Sequence, residues 1–160
     1  YLGAVGFTTG VIGVFMTVGA VTQVVGSTAA GFASDRWGRW KPLVAGILAG
    51  SAAFLVLVFT GEFAWMMVTF VLLGLAGGAL AAVPSAMLGE TKYGSTGLAV
   101  ALYWIIFDIA AIIGPLASGI IADNVGFAPA FLVIQIPFIL TLACALWAWR
   151  WDAKRKRAAP

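Results

Sequence analysis

Long apolar runs separated by short polar breaks make up this chain. The runs show neither the one-in-two alternation of a half-buried strand nor the polar stripe of a water-facing helix. Five of them cover residues 7–34, 43–60, 63–88, 96–122 and 127–149. Each is as long as the roughly 17–25 residues that carry a helix across a bilayer's hydrocarbon. Leu, Ala, Val and Ile mix freely with Gly, a combination that membrane helices tolerate. Every backbone group in lipid must be satisfied within its own segment unless a barrel closes, so the pattern predicts an all-α membrane protein of five transmembrane helices. The breaks DRWGRWKP, TGEF, GETKYGST and DNVGFAP are short, so successive helices run antiparallel.

Small residues recur four apart at Gly6/Gly10, Gly46/Gly50, Gly74/Gly78 and Ala110/Gly114/Ser118. That spacing predicts close helix contacts, because lipid removes the hydrophobic drive between helices and leaves packing to hold them.

Charge then orients the bundle. Only 9% of the 160 residues are charged and 62% are hydrophobic, against about 25% charged in a soluble domain. The net charge of +3 does not point to nucleic acid, since the cations collect at three breaks. With the chain starting outside, segments 35–42, 89–95 and 150–160 face the cytoplasm. They hold Arg36, Arg39, Lys41, Lys92, Arg150, Lys154, Arg155, Lys156 and Arg157, all nine cations of the chain. The outer breaks hold only Glu62 and Asp123, the asymmetry of the positive-inside rule. Residues 1–149 are thus expected to form the bundle and 150–160 a basic cytoplasmic tail resting on anionic headgroups. Trp37, Trp40, Trp147, Trp149 and Trp151 fall at inner span ends and Trp65 at an outer one, where indoles favour the headgroup level.

Other chemistry is thin. There is no histidine and one cysteine, Cys144, inside an apolar run, which leaves no internal disulfide, no histidine-based metal site and no expected cofactor. No phosphate-cradling G-x-x-x-x-G-K-[ST] loop occurs, and an enzyme is not expected. The chain opens on Tyr1 without a leader-like segment, and it is read as a fragment whose amino end is missing.

The stretch GFASDRWGRWK carries the most specific pattern. Gly31, Asp35, Arg36, Gly38 and Arg39 match a G-x-x-x-D-R-x-G-R signature, and on these residues the chain resembles the major facilitator superfamily. There the signature lies in the cytoplasmic loop after the second helix of each half, where it latches the two halves. Trp40 departs from the basic residue usual at that position, and Lys41 follows it. A plain positive-inside anchor would need neither the glycines nor the aspartate. Residues 106–119, IFDIAAIIGPLASG, resemble the family's glycine-proline helix at Gly114-Pro115, with Ser118-Gly119 replacing the second glycine of the usual terminal pair. Pro115 frees a backbone carbonyl and is expected to kink its helix, either as a gating bend or as fixed packing.

The resemblance implies part of a six-helix half, mapped to helices eight to twelve of the carboxyl-terminal half, with the amino-terminal half of the same chain as its partner. It implies a secondary transporter working by alternating access in a bacterial inner (plasma) membrane, with its carboxyl terminus in the cytoplasm. The solute is expected to be a drug-like or metabolic small molecule exported against protons. Proton symport of a sugar or organic acid is the alternative, and a non-transporting scaffold or sensor the second one.

Asp108 is the single acid within an apolar run. An ionised carboxylate there costs at least about 2.5–3.5 kcal/mol, so it should face the bundle interior or water. Desolvation favours the neutral acid, and a group able to trade its proton suits coupling, although a neutral packing role would also place it there. Trp104, one turn away on the same face, and the adjacent Tyr103 are expected to wall a substrate site, with Gln23 a weaker member.

Overall fold

The computed structural model describes residues 1–59, 61–90 and 96–158. Thr60, residues 91–95 with Lys92, and residues 159–160 lie outside the described residues. Five helices follow in order: α1 (Thr9–Trp37), α2 (Trp40–Phe59), α3 (Phe63–Gly89), α4 (Thr96–Val125) and α5 (Phe127–Ala158). All five are long and apolar enough to span a membrane, and no strand occurs among the described residues. The expected all-α architecture of five spans is therefore present.

Helix ends differ from the apolar runs for local reasons. α1 starts at Thr9 because Thr8 is extended and its hydroxyl accepts from the Val11 amide at 3.5 Å, an N-cap. It continues past residue 34 to Trp37, so Asp35 and Arg36 ride on its last turn. The expected eight-residue break shrinks to Gly38 and Arg39, with Gly38 at φ +88°, a backbone region that favours glycine. At the other terminus, α5 runs on through the basic segment as helix.

α3 is the central helix, packed on both α1 and α2. The α1–α3 seam is a backbone-to-backbone contact. A methyl group at Gly26 would come within 2.7 Å of the Leu75 Cα, and one at Gly78 within 2.8 Å of the Gly26 carbonyl carbon. At Gly74 it would strike the Thr22 hydroxyl, which donates to the Val18 carbonyl at 2.8 Å within its own helix. Only glycine lets the axes come this close. Beside it, Phe15 is fully buried among Phe7, Phe63 and Phe70.

α2 is clamped to α5 by a reciprocal pair. The Ser51 hydroxyl donates to the Gln135 Oε1 at 2.6 Å, and the Gln135 amide donates to the Ser51 carbonyl at 3.1 Å. Gln135 is 7% exposed, so both polar groups find partners where lipid offers none. Gly46 and Gly50 admit Ala79 and Phe138 alongside. α4 touches α5 and, through Tyr103, α3.

Two of the expected small-residue contacts are absent among the described residues. A Cβ at Gly10 or Gly114 meets nothing within 4 Å, and Gly6 serves a turn instead, at φ +94°. Spacing marks a surface that can be approached closely; it does not supply the helix that approaches.

Candidate functional site

The charged ends of α1, α2, α3 and α5 meet at one end of the bundle. Arg39, in the tight connection, is held at its centre. Its guanidinium donates to Asp35 Oδ1 and to the Ser34 hydroxyl, both at 2.8 Å, and its Nε donates to Glu90 Oε1 at 3.1 Å. A second guanidinium nitrogen pairs with the same Glu90 oxygen. Asp35 lies four residues before Arg39, Ser34 is buried, and Glu90 caps α3. One planar fork thus joins the end of α1 to the end of α3 across the start of α2. The Glu90 hydrogen bond, followed by its charge and those of Asp35, raises Arg39 above the ordinary guanidinium value, with desolvation opposing in part. Nearby, the Trp40 indole donates to Asp152 Oδ2 at 3.2 Å and ties α2 to α5.

Of the motif residues, Asp35 and Arg39 come together and Gly38 makes the turn. Arg36 is exposed and has no ion pair among the described residues. A Cβ at Gly31 would meet nothing within 4 Å. Glu90 was missed by sequence reasoning. The signal was present, an acid at the charged end of the third span opposite a cationic turn, but short polar breaks do not reveal which of their residues meet. Asp35 and Glu90 are largely exposed, and ion pairs of this kind contribute little each. The arrangement is therefore geometrically specific yet inexpensive to release.

The second candidate set lies on α4. Asp108 is exposed and has no hydrogen-bond or ion-pair partner among the described residues. Trp104, 39% exposed, sits one turn away on the same face, its ring 5.4 Å from Phe107 and 5.7 Å from Tyr103. Tyr103 turns to α3, donating its hydroxyl to the Leu80 carbonyl at 2.6 Å. Gln23 is exposed on α1 beside Gly77, and no hydrogen bond joins it to Asp108. α4 is continuous through Gly114 and Pro115, and the Ser118 hydroxyl donates to the Pro115 carbonyl at 3.0 Å. No cluster of three or more metal-ligating side chains occurs among the described residues.

A sequence profile of the Major Facilitator Superfamily matches residues 1–160. The chain belongs to this family. It is an integral membrane protein and a membrane transporter by membership, with a small-molecule substrate and the bilayer as its surroundings. Comparisons with curated proteins and with solved structures give no match to it.

Proposed function

We propose that the chain is the carboxyl-terminal half, helices eight to twelve, of a proton-coupled exporter of a drug-like or metabolic compound. It would work by alternating access against the amino-terminal half of the same polypeptide. Asp108 carries this reading: it is an acid midway along a membrane-spanning helix, exposed and unpartnered among the described residues. In lipid alone such a group is costly, which favours a watered or partnered face between the two halves. Protons are then the coupling ion, and Trp104 beside Asp108 contributes to an apolar substrate wall. Arg39, Asp35 and Glu90 form the latch that breaks and remakes on the cytoplasmic side, with Gly31 turned toward the other half. Pro115 is the point where α4 bends. On this reading the charged end faces the cytoplasm of a bacterial inner membrane, supported by the clustering of the cations there, with residues 150–160 as a tail along its inner leaflet.

The test is Asp108→Asn in the full-length protein reconstituted in vesicles with an imposed pH gradient. Solute flux should lose its dependence on the gradient while the protein still elutes as one folded species. Unaltered flux with unaltered pH dependence would remove Asp108 from coupling. Reversing the gradient distinguishes export from proton symport of a sugar or organic acid, which the same acid would also serve.

A further inference from the structure

Two cavities meet beside the start of α2. One, of about 430 Å³, lies at the charged end among Arg39, Glu90, Trp149 and Asp152. The other, of about 450 Å³, is an apolar groove between α1 and α2 that reaches Gly26 and Ala49, with Leu75 and Ala79 of α3 as its floor. Trp37 and Lys41 line both. The groove exists because α1 and α2 pack mainly on α3 and little on each other, and because Ala33, Ala45 and Gly46 give its walls nothing longer than a methyl group.

Its length matches one leaflet. From Trp37 back to Gly26, α1 rises about 16 Å at 1.5 Å per residue, half of a hydrocarbon core ~30 Å thick. A further spanning helix would need the whole thickness. Deeper in the bundle α1 closes directly on α3 instead, with Gly26 against Leu75 and Gly19 against Phe70.

Cations stand at the mouth. On α2, Lys41 heads a row continued by Ala45 and Ala49, each four residues on and on the same face. On α1, Arg36 lies about 20° around the helix from Ala29, which lines the groove, and about two turns nearer the charged end. Both cations are exposed and make no ion pair among the described residues. The acids of the neighbouring cavity are already engaged, Glu90 by Arg39 and Asp152 by the Trp40 indole. Trp37, 62% exposed, adds an indole at the level where headgroups lie. The groove between α4 and α5, of about 740 Å³, has no charged residue on its walls.

We infer that the α1–α2 groove is a site for one anionic phospholipid, its phosphate between Arg36 and Lys41, one acyl chain along Ala33, Ala45 and Ala49, and its headgroup in the cavity beside Arg39. An apolar channel one leaflet deep, then two unpaired cations, then a polar chamber follow the order of chain, phosphate and headgroup in such a lipid, and basic pockets between membrane helices hold anionic lipids. Occupancy depends on neither the solute nor the side of the membrane that the charged end faces.

Titrating phosphatidylglycerol onto the detergent-purified full-length protein, with bound lipid counted by native mass spectrometry, tests the site. The parent should hold one molecule more tightly than phosphatidylcholine. Lys41→Gln should weaken phosphatidylglycerol binding about fivefold, the effect of one cation near an anionic surface. Ala45→Phe fills the groove from an exposed position and leaves both cations, and it should weaken binding at least as much. Arg36→Gln, on the other wall, gives an independent reading with the same expected loss. Equal affinity for phosphatidylcholine, or displacement of the lipid by excess inorganic phosphate, would overturn the inference. So would a loss in Lys41→Gln with none in Ala45→Phe, since attraction to the cations alone would then account for binding.

Discussion

The α1–α3 seam and the α4–α5 groove are built from the same kind of sequence and end in opposite states. Gly74 and Gly78 bring two backbones into contact, while Ala110 and Gly114, spaced identically, face open space. In the most apolar stretch of α3, 39% of the residues are buried, and in that of α4 none is more than half-buried. Four-residue spacing of small side chains thus states that a helix can be approached closely and says nothing of whether the approaching helix is α1 or a segment elsewhere in the protein.

The comparison breaks most sharply at Gly78. Its added methyl would press on the Gln23 carbonyl and the Ser27 amide as well as the Gly26 carbonyl carbon, all backbone that cannot rotate away. Overpacking costs about 1–3 kcal/mol, and better helix propensity returns about 1 kcal/mol. With every contact on backbone the cost falls at the upper end of that range, so Gly78→Ala should destabilise the protein by about 2 kcal/mol in detergent unfolding. Stability equal to the parent would mean that α1 and α3 are not in backbone contact.

Gln135→Leu is a smaller perturbation on the α2–α5 contact. It removes the reciprocal bond with Ser51 while keeping the volume similar. Interhelical hydrogen bonds in membranes average about 0.6 kcal/mol, with a maximum near 1.7, so a loss of about 1 kcal/mol is expected. A neutral result would leave the α2–α5 contact to packing by Phe54 and Phe138 and to the Trp40–Asp152 bond.

The smallest effect is expected at Thr69 on α3, whose hydroxyl is fully buried and has no partner among the described residues. Thr69→Val replaces it by a methyl of the same shape, and removing an unsatisfied polar atom should stabilise by up to about 1 kcal/mol. Destabilisation would reveal a hydroxyl contact outside the described residues.

Much of the architecture is legible from residue order because the bilayer imposes it. Lipid offers no hydrogen bonds, so the lengths of the apolar runs set the number of helices. The cations mark one end, and the charged end of the bundle collects Arg36, Arg39 and Lys41 beside the end of α5. The motif was readable at Gly38 and at the i, i+4 pair Asp35 and Arg39, which need nothing but their own helix and turn. Glu90 was not, because its meeting with Arg39 depends on how α3 ends relative to α1, fifty-one residues away in sequence. Gln135 and Ser51 are another such case: each looks like an isolated polar residue in an apolar run, and only the crossing of α2 and α5 makes them partners.

Sequence alone determined that this is a membrane protein of five spans bearing a charged turn of one transporter family, since hydrophobicity, length and charge act locally and need no partner. Tertiary structure decided which glycines are contacts and which are vacancies, which carboxylate holds Arg39, and that Asp108 stands on an uncovered face. Those outcomes depend on how helices distant in sequence approach one another, and a helix's own residues specify its surfaces without specifying what meets them.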